Sequence, residues 1–155
     1  KVYIKEVVHH IPPEELDTML RNLHARLPDD GTGRVVIVTR MHDSSHYPFF
    51  AAAHRVWEEQ QDRYEVYQDA CTRAGFDTET VVRSYAVRMP TVRWLAMVQD
   101  RFWSTFSAFD DDELADGVDE IRRKYEGCEE IEFPDKLCFI VATRRAASAA
   151  AGGSA

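Results

Sequence analysis

Apolar positions along this chain follow two rhythms, and their alternation predicts the order of elements. Val2 to Val8 is rich in β-branched residues, closed by His9, His10 and Pro12-Pro13, and reads as a strand buried on both faces. Pro13 suits the first turn of a helix, with Glu14 and Glu15 at its positive end. Leu16, Met19, Leu20, Leu23 and Leu27 follow at helical spacing, one stripe expected to face a sheet. Pro28-Asp29-Asp30-Gly31 stops the helix, and Arg34 to Thr39 is the clearest strand. Strand, helix, strand in this order is a βαβ unit, with parallel pairing and a right-handed crossover.

The pattern then lengthens. Arg40 to Tyr47 is a polar loop, and Phe49 to Ala74 is helical, broken near Asp62, with Gly75 as the stop. Thr80 to Val87 alternates as a third strand up to Pro90. Val92 to Phe106 is a helical stretch dense in aromatics. Asp110 with Glu113 forms a capping box for a helix carrying Leu114, Val118 and Ile121 and ending near Gly127. Leu137 to Thr143 is the fourth strand, and residues 145–155, almost wholly Ala, Ser and Gly, read as a disordered tail. The predicted class is α/β, and residues 1–144 form the folded part.

Composition narrows the function. With 19 Lys+Arg against 27 Asp+Glu the net charge is −8, and no basic stripe is present, so nucleic acid is not an expected partner. No apolar run approaches the ~20 residues of a membrane span, and no secretory signal is visible. Cys71, Cys128 and Cys138 lack CxxC spacing and read as free thiols of a cytoplasmic protein. Lys1 opens directly on a strand, so further residues are expected to precede it.

The order of parts resembles class I S-adenosylmethionine-dependent methyltransferases. Val2 to His10 is similar to that family's fourth strand with the His pair that often follows, and Gly33 to Arg40 to its fifth. Ala74-Gly75-Phe76 with Val81 to Tyr85 resembles the passage into strand six, and Phe133 to Thr143 the closing seventh strand. The resemblance covers Lys1 to Arg144. It implies a partial Rossmann-like sheet of about four strands, the last antiparallel between the second and third, with helices on its faces and a helical insertion over about 91–127. The family's Gly-rich loop is absent: Gly31-Thr32-Gly33 precedes a strand and reads as a turn. The resemblance therefore implies the C-terminal part of an enzyme whose cofactor is S-adenosylmethionine, with no binding expected for the chain alone and no assignable cofactor-binding residues. Its partners would be a small-molecule acceptor and the missing N-terminal half, or a second copy joined through residues 2–8.

His9 and His10, at a strand's C-terminal end, are the candidate catalytic residues, since neutral imidazole accepts a proton near pH 7. Within the resemblance, Arg40, Met41 and His42 would border the acceptor pocket, with Tyr85, Trp94 and Arg101 as further candidates; Trp94 could equally be core, and Arg101 a surface arginine paired with a carboxylate. His42-Asp43-Ser44-Ser45-His46 with His9 and His10 could be read as a zinc or iron site, but a polar rim loop fits that spacing better, and no metal is expected. Asp110 to Glu113 suits a helix N-terminus better than calcium. Three functions follow: part of a methyltransferase acting on a small or medium acceptor, inactive without its other half; a non-catalytic module binding through its open edge; or a metal-dependent hydrolase.

Overall fold

A computed structural model describes residues 1–146. Strand β1 (Val2–Lys5) leads through a short 3-10 turn (Val8–His10) into helix α1 (Pro13–Arg26), followed by β2 (Arg34–Arg40). Helices α2 (Ala51–Gln60) and α3 (Tyr64–Arg73) precede β3 (Phe76–Pro90). Then come α4 (Thr91–Gln99), a 3-10 turn (Ser104–Ala108), α5 (Asp111–Lys124) and β4 (Glu130–Arg144). The strands form one sheet in the order β1-β2-β4-β3.

β1 and β2 run parallel, Ile4 beside Ile37. The end of β4 lies against the start of β2, where Arg144 N–H donates to the Gly33 carbonyl at 2.9 Å. Arg145 at the end of β4 holds Asp77 at the start of β3, and Arg88 at the end of β3 holds Glu130 at the start of β4. End meets start at both borders, so β4 is antiparallel to both neighbours.

The chain divides into two compact units. Residues 1–40, 63–82 and 138 onward form the first, residues 41–62 and 83–137 the second, and β3 and β4 contribute to both. In the first unit, Val35, Ile37 and Val38 of β2, Leu16 and Leu20 of α1, Tyr67 and Cys71 of α3, and Ile140 of β4 are buried. Asp17 of α1 pairs with Arg73 of α3 at 2.8 Å. In the second unit, Phe49, Phe50, Trp57, Trp94, Phe106, Leu114, Val118, Ile121 and Phe133 form one apolar cluster. There Glu120 of α5 accepts the Ala51 N–H at the start of α2, at 2.8 Å, which satisfies an end group the helix itself leaves open.

Several expectations need correction, and β3 is longer than the expected Thr80 to Val87 at both ends. β1 ends at Lys5 and only Ile4 is buried in it, because β1 is the last strand of the order and has a neighbour on one side only among the described residues. Met19 and Leu23 are half-buried, turned off the line through Leu16, Leu20 and Leu27 that faces the core. The stretch after Pro90 is not one helix. Met97 C=O accepts from Phe102 N–H and Val98 C=O from Arg101 N–H, a Schellman stop with Arg101 left-handed at φ 51°. Finally, β4 starts seven residues before Leu137, running through Pro134. The Arg144–Gly33 pairing sets Pro134 past the end of β2 at Arg40, where its missing N–H costs no bond to that strand. Of the expected tail, residues 147–155 lie outside the described residues.

Candidate functional site

In a parallel pair the ends of the strands carry the functional loops, and residues 41–50 after β2 hold a group of polar side chains in the second unit. Asp43 turns the loop by accepting Ser45 N–H at 2.9 Å. Ser44 is fully buried, with its Oγ 2.8 Å from His54 Nδ1 of α2. Tyr47 N–H closes the turn on the Ser44 carbonyl at 2.8 Å. The Tyr47 ring stacks against Phe49, and its hydroxyl donates to Asp135 of β4 at 2.7 Å. The His46 ring lies 4.2 Å from that of Tyr47, and both its nitrogens are buried without a hydrogen bond.

The electrostatics keep these imidazoles neutral. Burial, then Lys136, pushes the His46 pKa down, against Asp43 and Asp135. Burial, then Lys124, does the same to His54. Asp43 is held below the usual carboxylate range by the Ser45 backbone and then its side chain. His42 Nδ1 lies 2.5 Å from the Gln61 carbonyl. A carbonyl only accepts, so Nδ1 carries the proton and Nε2 is the acceptor in the neutral ring. The segment thus holds a neutral imidazole, His46, beside a Tyr–Asp hydrogen bond.

The candidate residues fall in both units. In the first, His9 and His10 lie on the 3-10 turn with ring centroids 4.1 Å apart, and Arg40 pairs with Glu6 at the end of β1. In the second, the Met41 carbonyl accepts from Trp57 Nε1 at 3.1 Å, beside His42. Tyr85 stands 49% exposed on β3. Trp94 is a core residue, 1% exposed, its Nε1 donating to the Pro48 carbonyl at 2.9 Å. Arg101 donates to the Phe106 carbonyl at 2.9 Å and pairs with Asp111 at 2.7 Å, so it acts as a surface tether. Among the described residues no three His, Cys, Asp or Glu side chains could hold a metal ion, and no helix is long and apolar enough to cross a membrane.

Gly31, Gly75 and Gly127 have positive φ, and each lies in a helix-to-strand turn. A nucleotide-type cofactor is gripped at the reverse connection, the Gly-rich strand-to-helix turn. Among the described residues the strand-to-helix turns, 6–12 and 41–50, carry no glycine, so by themselves they do not fit an adenosyl cofactor.

No protein-family model matches the chain, and no curated protein sequence matches it. Among solved structures, a Bacillus halodurans protein described provisionally as a methyltransferase superimposes with a TM-score of 0.51 at 16% identity. The match covers 93% of this chain and 63% of that one. The chain has the class I methyltransferase-like fold. The YcgJ protein of Bacillus subtilis gives 0.49 at 13% identity over 92% of this chain and 63% of its own. A Haemonchus contortus phosphoethanolamine N-methyltransferase, solved with phosphomonomethylethanolamine and S-adenosylhomocysteine, gives 0.42 at 16% identity, over 93% and 33%. The chain thus spans less than two thirds of the length of these structures.

Within the methyltransferase-like fold, the observed order β1-β2-β4-β3 is the expected order four, five, seven, six, with the closing strand reversed. His54, Tyr47 and Asp135 were not singled out from the sequence. Tyr47 and Asp135 stand 88 residues apart, and nothing local marks either as the other's partner. His54 falls inside a helical stretch, where a lone histidine carries no signal.

Proposed function

We propose that this chain is the acceptor-side, C-terminal part of an S-adenosylmethionine-dependent methyltransferase acting on a small or medium acceptor in the cytoplasm. The observation that carries this reading is the sheet itself: a parallel pair, then a reversed strand inserted before the third in sequence. The cofactor would be gripped by a Gly-rich half that docks on the free edge of β1, since the positive-φ glycines Gly31, Gly75 and Gly127 sit in helix-to-strand turns. The role left to this chain is to position the acceptor and take its proton, for which His42 after β2 is suited by the Nε2 left over when Nδ1 donates to Gln61, and His46 by a ring that burial keeps neutral. His9 and His10 remain candidates for the same task on the 3-10 turn after β1. The free thiols fit a reducing compartment.

The glycine placement also favours a second reading, a methyltransferase-like module that binds a partner chain and catalyses nothing. The two are separated by complementation. The chain is mixed with a polypeptide bearing a Gly-rich half, and transfer of labelled methyl from S-adenosylmethionine to a panel of small acceptors is followed. Transfer that His46→Gln lowers supports the first reading. Binding of the two polypeptides without transfer to any acceptor supports the second.

A further inference from the structure

The loop from Asp43 to Tyr47, in the second unit, is clamped at both ends and holds one imidazole that the clamps leave unsatisfied. We infer that this loop is a proton-operated latch: when His46 takes up a proton, its ring swings out to solvent and Tyr47 lets go of Asp135. The inference stands on the chain itself and does not depend on methyl transfer.

The clamps lie on either side. Ahead of the loop, the Met41 carbonyl accepts from Trp57 Nε1 at 3.1 Å and His42 Nδ1 donates to the Gln61 carbonyl. Behind it, the Pro48 carbonyl accepts from Trp94 Nε1 at 2.9 Å. Between these points the Tyr47 side chain closes the loop. Its hydroxyl donates to Asp135 of β4 at 2.7 Å. Its ring lies 5.4 Å from that of Trp57 and 5.1 Å from that of Trp103, between centroids. His46 is drawn inward with its neighbour, ring against ring at 4.2 Å. Both its nitrogens are buried, and neither has a hydrogen-bond partner among the described residues.

His46 and His54 differ in what a proton does to them. His54 Nδ1 lies 2.8 Å from Ser44 Oγ. A hydroxyl donates or accepts as required, so that bond survives protonation of the ring. His46 has no such partner. Its neutral ring already buries one unpaired N–H, which costs about 1–3 kcal/mol. The imidazolium would bury two, together with a charge, and a buried unpaired charge costs far more. Burial is the largest influence on this ring. Lys136 of β4 and His54 of α2 also oppose the positive form, while Asp43 of the same loop and Asp135 of β4 favour it.

The closed loop therefore holds the neutral ring, and the protonated ring gains hydration by leaving. Asp135 is also the acceptor that Tyr47 uses, so a positive ring beside it competes with the phenol hydroxyl. The ring in solvent titrates near the ordinary 6.5 and the closed ring lower. As pH falls from 6.5 toward that lower value, opening takes up a proton, and the ratio of open to closed loop rises about tenfold per pH unit.

The test is acrylamide quenching of tryptophan fluorescence, because Trp57 and Trp103 flank Tyr47. It is followed from about pH 8 to about pH 5, with circular dichroism alongside. Quenching should rise in one step below about pH 6.5 while circular dichroism stays constant. His46→Gln, uncharged throughout, should remove the step, and His54→Gln should keep it. Tyr47→Phe, which lacks the bond to Asp135, should be quenched more at every pH. In the parent chain, nuclear magnetic resonance should show the His46 ring protons and the Tyr47 ring protons shifting with one common midpoint, a result that needs no variant to fold. Quenching that stays flat across the range overturns the inference. So does a step that survives in His46→Gln, a Tyr47 ring that ignores the titration of His46, or circular dichroism lost at the same midpoint, which would be unfolding of the whole chain.

Discussion

Gly117→Ala sets two known effects against each other inside α5. Glycine within a helix costs about 1 kcal/mol relative to alanine, so the substitution gains that much in backbone terms. Gly117 is buried, however, and an added Cβ would stand 2.7 Å from Cγ and Cδ1 of Phe50 and 2.8 Å from its Cδ2. Carbon atoms rest at about 3.5–4.0 Å, so the ring would have to withdraw by roughly 1 Å. Phe50 is 2% exposed and braced by Phe109, 4.9 Å away between centroids, with Phe106 behind at 6.2 Å. Overpacking of such a core costs about 1–3 kcal/mol, and a clash with three atoms of a braced ring belongs at the upper end. The net expectation is a loss of about 1–2 kcal/mol. Urea unfolding reads it as a lower midpoint at unchanged slope. Phe50→Leu in the same chain should recover part of the loss. A Gly117→Ala variant as stable as the parent, or more so, would refute the reasoning.

His46 and His54 both have folded pKa values below the ordinary 6.5. Between those values and 6.5 the unfolded chain holds more protons, so stability should fall as pH drops below about 6.5; urea midpoints across pH, with His46→Gln flattening the slope, check this. Burial pushes the Cys71 thiol up to about 12 and that of Cys138 up to about 11, whereas Cys128 is exposed. A maleimide at neutral pH should therefore add once, at Cys128, by peptide mass spectrometry. Arg101→Ala keeps the left-handed backbone and removes the tether to Phe106 and Asp111, a loss of about 1–2 kcal/mol, while Arg101→Gly should recover about half of it. Thermal unfolding of the pair distinguishes strain from tether.

Local rules located most elements because each rests on a local cause. The break near Asp62 became the gap between α2 and α3, and Asp110 with Glu113 forms both bonds of the capping box. What escaped the sequence depends on distant partners. β3 extends beyond Thr80 and Val87 in both directions because β4 runs beside it, a pairing marked by Arg145–Asp77 at one end and Arg88–Glu130 at the other. Pro134 hid the start of β4, since a proline in a central strand argues against one until β2 is known to end short of it. At the candidate site, the loop from His42 to His46 was legible as polar. The Ser44–His54 and Tyr47–Asp135 bonds required the fold.

The central claim, that this chain supplies the acceptor side and not the cofactor grip, is tested most directly by calorimetric titration of S-adenosylhomocysteine. No heat of binding is expected with the purified chain, and clear binding once a polypeptide with a Gly-rich half is added. Saturable binding to the 155-residue chain alone would contradict it.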